Sequence, residues 1–230
     1  MKNWYQLTES ETLDKLGVTS EGLSSQQADS LLEKHGKNVL EESKKKSVFQ
    51  VFLSQFADLM VIILIIAAIV SMFSGSVEST IVIFAVITLN AILGTVQHVK
   101  AEKSLESLKS LSSPSAKVIR DGRKIEIDSE NIVPGDIVVL EAGDLVVADG
   151  RIINNYSLQV NESSLTGEST NIDKSVETIE KEVPLADRTD MVFSGSLVTY
   201  GRAIVVVTET GMNTEIGKIA TLMNQAKSKK

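Results

Sequence analysis

Cysteine is absent from the 230 residues, and histidine occurs only as His35 and His98. A disulfide framework and a thiolate or multi-histidine zinc site are therefore excluded. Aromatic residues make up only 4%, but with 43% hydrophobic and 23% charged positions the composition is that of an ordinary globular chain. It suffices for one or two packed units and rules out collagen-like and disordered classes. An excess of base is lacking too: 23 Lys and Arg face 30 Asp and Glu, a net charge of −7. A nucleic-acid partner, which demands clustered cations against phosphates, is not expected. Nor is there a Gly-rich loop ending in Lys and Ser or Thr, a dinucleotide fingerprint, a nucleophile elbow or a zincin pattern. The chain itself should hold no cofactor and no metal.

What is present is segregated. Leu59 to Phe73 reads LMVIILIIAAIVSMF and Ile81 to Val96 reads IVIFAVITLNAILGTV, neither containing a charge. Each block rises only roughly 22–24 Å, short of a hydrocarbon core of about 30 Å, so flanking turns must contribute. Spans of about 52–73 and 79–97 are expected. Two buried core helices of a soluble domain are the plainer alternative, but such blocks in tandem are rare there. Only SGSVEST, Ser74 to Thr80, separates the blocks, which predicts an antiparallel hairpin. Lys44, Lys45 and Lys46 precede it and Lys100 and Lys103 follow, whereas the connection has Glu78 and no Lys or Arg. The positive-inside rule then puts both ends in the cytoplasm. No cleavable signal peptide is read. Within the spans, Thr88 and Asn90 suit packing or interhelical hydrogen bonds better than ion coordination, and Asp58 suits a solvated or capping role.

Ahead of the hairpin, Thr8 with Glu11 and Ser24 with Gln27 have capping-box spacing. Two short helices should end near Gly17 and Gly36, burying Leu13, Leu16, Ala28, Leu31 and Leu32 against something larger. After the hairpin, HVKAEKSLESLKSL keeps helical spacing, with Ala101, Leu105, Leu108 and Leu111 on one side, and Pro114 should stop it. The period then changes to two. AKVIR and KIEI flank Asp121-Gly122, a hairpin signal, and IVPGDIVVL, LVVADGRII, SLQV, MVFSGSLVTY and AIVVVTE follow. The fold class expected is an α+β membrane protein: a transmembrane helical hairpin, N-terminal helices, and a small mostly-β domain built as a distorted barrel or jelly roll. The parts are 1–47 for the N-terminal helical segment, 48–97 for the hairpin and 98–113 for the stalk. The β-rich domain takes 114–218, and 219–230 opens another helix.

One loop stands out between β segments: NESSLTGES, Asn161 to Ser169. Gly167 allows close backbone approach, and Glu168 is the only carboxylate at its tip. Taken alone, such a loop is more often a solvated turn.

The wider pattern resembles the N-terminal part of a P-type ATPase of the type II cation-pump branch, most like the calcium-transporting members. The resemblance rests on GLSSQQADSLLEKHGKNVL (22–40), QFADLMVIILIIAAIVS (55–71), NAILGTVQHVKAEKSLESLKSL (90–111), IVPGDIVVLEAGDLVVADGRII (132–153), VNESSLTGES (160–169) and TGMNTEIGKIA (210–220). Val147 departs from a common proline, and Thr170-Asn171 from a hydrophobic residue and proline, changes that bear on loop stiffness. The resemblance implies an actuator domain carrying a TGES loop, Thr166, Gly167, Glu168 and Ser169, that promotes hydrolysis of an aspartyl phosphate. It implies ATP and magnesium in the full-length pump, and as partners the lipid membrane, the phosphorylation and nucleotide-binding domains, and a transported cation, expected to be calcium. The expected setting is a bacterial cell membrane. The family's DKTGT motif does not occur here, so the chain alone is expected to be inactive. Pumping of sodium, potassium or manganese, and a membrane-anchored regulatory or binding module, stay open as alternatives.

Overall fold

Side chains that pair with helix-start amides set the first elements. The computed structural model of the chain describes residues 3–40, 47–111, 114–167 and 169–228. Helix α1 (Glu9–Leu16) begins where Thr8 accepts the Glu11 amide and the Glu11 carboxylate accepts the Thr8 amide. Helix α2 (Ser25–His35) begins the same way at Ser24 and Gln27. Gly17 closes α1 in left-handed geometry and Gly36 closes α2, as the spacing predicts.

Seven strands follow: β1 (Ser115–Arg120), β2 (Arg123–Asp128), β3 (Ile137–Glu141), β4 (Asp149–Asn161), β5 (Asn171–Asp173), β6 (Met191–Val192) and β7 (Leu197–Glu209). Between β1 and β2, Asp121 (φ 51°) and Gly122 (φ 69°) give the positive pair of dihedrals that a tight hairpin turn demands. All pairings are antiparallel, in the order β2-β1-β3-β7-β4-β5, with β6 on β4. The expected barrel is corrected here: the order is open, and among the described residues no pairing joins β2 to β5. The terminal strands explain this, since β2 is exposed along nearly its whole length and β5 has three residues.

Two expected breaks are also absent. LVVADGRII and SLQV contribute to one strand, β4, and SLVTY and AIVVVTE to one strand, β7. The punctuation read at Gly201 is a bulge rather than a turn. Gly201 (φ 75°) lies against Ser157 (φ 54°), where the β4–β7 register shifts. A Cβ at Gly201 would stand 2.2 Å from the Ser157 carbonyl oxygen.

One face of the sheet buries Val118, Ile132, Val138, Ile152, Val160 and Val205. The other presents Val133, Ile137 and Val206 to buried Ala28 and to half-buried Leu13, Leu16, Leu31 and Leu32. The N-terminal helices therefore pack on a larger body, as their short apolar faces require. Ahead of α1, Trp4 Nε1 donates to Glu209 Oε1 at 3.0 Å, and the Ile179 amide donates to the Tyr5 carbonyl.

Residues 47–111 form a separate compact unit. It contains α3 (Val48–Gln55), α4 (Leu59–Phe73) and α5 (Val77–Leu111). The continuous first span expected over 52–73 is corrected: the helix breaks at Phe56 to Asp58, and α3 and α4 meet at a bend of 61°. Asp58 is the cause, because its carboxylate accepts the Met60 amide at 2.9 Å and so starts a new helix. Ser47 with Gln50 starts α3 by the same reciprocal device, which the sequence analysis missed. Among the described residues one helix, Val77–Leu105, is by itself long and apolar enough to cross a membrane; the bent pair reaches that size only together. Helix α5 runs on without a break at 97, so the stalk is its continuation. Val61, Ala68, Ile87, Ala91 and Thr95 are buried where the helices meet, whereas Ile66, Ile69, Phe73, Phe84 and Leu89 are exposed. Thr88 bonds back to the Phe84 carbonyl, and Asn90 is exposed. Lys44, Lys45 and Lys46 lie outside the described residues.

Gly201→Ala tests the paired bulges. It should lower the urea stability of the β unit by at least about 2 kcal/mol, through left-handed strain and overlap with Ser157; an unchanged midpoint would refute the account.

Candidate functional site

The loop 162–170 springs from the end of β4 and returns as β5, whose register pairs Asn161 with Asn171 and Val160 with Ile172. Its first half is a single helical turn, α6 (Ser163–Thr166), closed by Gly167 in left-handed geometry (φ 77°). The Glu162 carbonyl accepts the Leu165 amide at 2.9 Å, the Thr166 amide at 3.0 Å and the Thr166 hydroxyl at 3.1 Å. Asn161 braces both sides: its Oδ1 accepts the Ser163 amide and hydroxyl, and its Nδ2 donates to the Ser169 carbonyl at 3.3 Å. Ser164 Oγ donates to the Gly195 carbonyl at 3.1 Å. These bonds, together with half-buried Leu165 packed against Tyr5, Met191 and Phe193, explain why a mostly polar stretch has defined geometry.

Thr166 is half-buried, while Gly167 and Ser169 are exposed. The fourth residue of the expected set, Glu168, lies outside the described residues. Gly167 supplies the left-handed cap of α6, and among the described residues nothing lies within 4 Å of a Cβ placed there.

Beneath the loop lie charges that the sequence reading did not single out. Glu162 and Lys174 are fully buried and approach to 2.5 Å, although the contact is poorly aligned for a hydrogen bond. Burial pushes the Glu162 carboxyl up and the Lys174 amine down from their ordinary values, each opposed by the partner's charge. Arg151, buried like its partner Asp190, makes a second ion pair at 3.0 Å and donates to the Leu7, Ile152 and Val176 carbonyls. No spacing rule could have found these pairs, because each joins residues brought together by long-range strand pairing. Among the described residues no group of three or more His, Cys, Asp or Glu converges to hold a metal ion.

Two family descriptions match the chain. The description "P-type ATPase actuator domain" matches residues 110–224, and "Cation transporter/ATPase, N-terminus" matches 4–71. The chain belongs to the P-type ATPase family. A calcium-transporting ATPase of Listeria monocytogenes is 48% identical over 98% of this chain, and one of Lactococcus lactis is 45% identical over 98%. A cation-transporting ATPase of Synechocystis is 40% identical over 91%. The chain spans 26% of the length of the Listeria and Lactococcus relatives and 23% of the Synechocystis one. It thus comprises the N-terminal segment and actuator domain of a P-type cation ATPase, and Thr166, Gly167 and Ser169 of the TGES sequence lie in the loop described above.

The actuator's exit is held by a further residue that sequence reasoning missed. Asp149, at the start of β4, accepts the Ser194 amide at 2.9 Å and the Glu215 amide at 2.7 Å, the latter opening α7 (Glu215–Ser228). Thr214 caps the same helix, accepting the Gly217 amide, so the helix starts four residues ahead of the expected Ile219. Burial outweighs these donors and lifts Asp149 to about 6 from its ordinary 3.8. A carboxyl raised on folding favours the folded state when protonated, and that advantage is lost as pH rises from about 4 through about 6. The chain should therefore lose stability relative to Asp149→Asn between pH 4 and pH 7, measured by urea unfolding of both proteins. A pH-independent difference would contradict the shift.

Proposed function

We propose that this chain is the actuator and first-helix portion of an ATP-driven cation pump, with calcium as the transported ion, embedded in a bacterial cell membrane with both ends cytoplasmic. The observation that carries this reading is the loop itself: Gly167 and Ser169 of the TGES sequence are exposed and the loop is braced at both roots by Asn161, on a chain 48% identical to a calcium-transporting ATPase. The names of the Listeria and Lactococcus relatives support calcium over other cations.

In this reading ATP and magnesium are handled by the phosphorylation and nucleotide-binding domains, and the acceptor aspartate belongs to the former. The chain's contribution is the hydrolytic half of the cycle. Glu168 takes a proton from a water molecule as its oxygen bonds to phosphorus. The bond between phosphorus and the aspartate oxygen breaks, returning a carboxylate and inorganic phosphate. Thr166 and Gly167 shape the approach, and Ser169 fixes the tip to Asn161 through its carbonyl. Repulsion between a carboxylate and a phosphoryl group keeps the two apart until the loop is driven in, which separates hydrolysis from phosphorylation in time. Helices α5 and α7 link the actuator to the membrane, so that its movement opens or closes the ion path.

General-base assistance is worth about 10²–10⁴ in rate. In the whole pump Glu168→Ala should leave calcium-dependent phosphorylation intact and slow phosphoenzyme decay by about that factor. Decay at the normal rate would refute the role of the loop; phosphorylation driven by sodium, potassium or manganese instead of calcium would refute the ion.

A further inference from the structure

The root of the TGES loop is tied by one contact that its own hydrogen bonds do not explain. Glu162 is where the loop leaves β4, and its carbonyl accepts the amides of Leu165 and Thr166. Lys174 is where the chain re-enters the body after β5. Its amide donates to the Leu158 carbonyl at 2.9 Å, and its carbonyl accepts Asn155 Nδ2, so both sides of its backbone are pinned to β4. The Glu162 carboxylate and Lys174 ammonium, both fully buried, join these two points at 2.5 Å.

We propose that Glu162 and Lys174 are positioning residues, whose sealed ion pair fixes the root of the TGES loop and thereby the angle at which its tip reaches the phosphoryl group. The proposal rests on the hydrolytic reading given above and names what makes the loop accurate. A buried ion pair adds little stability over an apolar pair of the same size, and its better-attested use is to specify one arrangement among several. Here it stands where specification matters, at the base of a lever whose tip must meet a target on another domain. Misplacement of a reacting group by about 1 Å can cost about 100-fold in rate. The surrounding charges form a closed set: Asp190 acts on Lys174, and Arg151 and Arg188 act on Asp190. The Phe193 ring lies 5.6 Å from the Lys174 ammonium.

The test compares Glu162→Gln, Lys174→Met and the double change to methionine in the whole pump. Phosphoenzyme formation and decay are measured, together with amide exchange at 163–167 and in the β7 core. Phosphorylation should reach its normal level and decay should slow about 10- to 100-fold, with faster exchange in the loop and unchanged exchange in the core. In Glu162→Gln the buried lysine loses its partner and keeps only the charge of Asp190. Raising the pH discharges it but cannot re-form the pair, so loop protection and decay should stay impaired at alkaline pH, as in Lys174→Met; recovery there would overturn the proposal, because relief of a buried charge would then suffice. Normal decay in folded variants would overturn the proposal. Loss of core protection would overturn it too, because the pair would then hold the fold rather than the loop. Glu168→Ala, run alongside, separates the two readings: slow decay there with normal decay in the pair variants sinks the positioning role alone, whereas normal decay in Glu168→Ala sinks the hydrolytic reading beneath it.

Discussion

The pairing of β4 with β7 is the constraint on which the actuator depends. Each strand has 13 residues, about 40 Å if fully extended, and they pair through most of that length. One end of β4 carries Asp149, which receives the first amide of α7; the other end carries Asn161 and Glu162, from which the TGES loop rises. The outgoing helix and the loop are therefore fastened to opposite ends of one rigid element. The matched bulge at Ser157 and Gly201 bends the pair without breaking it.

A second theme is the number of charges sealed inside a small sheet. Arg151 with Asp190, Glu162 with Lys174, and Asp149 are all buried. Isolated charges in such places would be untenable, and each here meets an opposite charge or backbone donors. Arg151 is the most connected: it closes on Asp190 and reaches the Leu7 carbonyl, so the N-terminal segment is tied to the strand that carries the loop. Hydrophobic packing by Val133, Ile137 and Val206 against α1 and α2 supplies the bulk attraction, and these polar ties select its register.

Local chemistry was legible in the sequence. The capping boxes at Thr8 and Ser24, the Asp121-Gly122 turn, the two apolar blocks and the loop 161–169 are each encoded by residues a few positions apart. Features that depend on distant partners were not. Gly201 reads as a turn until Ser157 is seen opposite it. Gln55 and Asp58 look like a tolerable interruption of one span, yet the Asp58 carboxylate finds an amide two residues on and begins a new helix. Glu162 and Lys174 carry no periodic signature, since neither belongs to an amphipathic pattern and the Lys174 backbone pairs with Leu158 rather than with Glu162. Of the loop's candidate residues, Gly167 and Glu168 stand out by their local setting and Thr166 and Ser169 follow from the family resemblance, but neither route reaches the buried pair Glu162 and Lys174.

The tie between Trp4 and Glu209 gives the molecule a built-in optical reporter. Trp4 is the chain's sole indole, hydrogen-bonded to the last residue of β7 and roofed by the Lys15 ammonium at 4.0 Å. Its emission colour and quenching therefore register whether the N-terminal strap is seated where β7 hands over to α7, without any label.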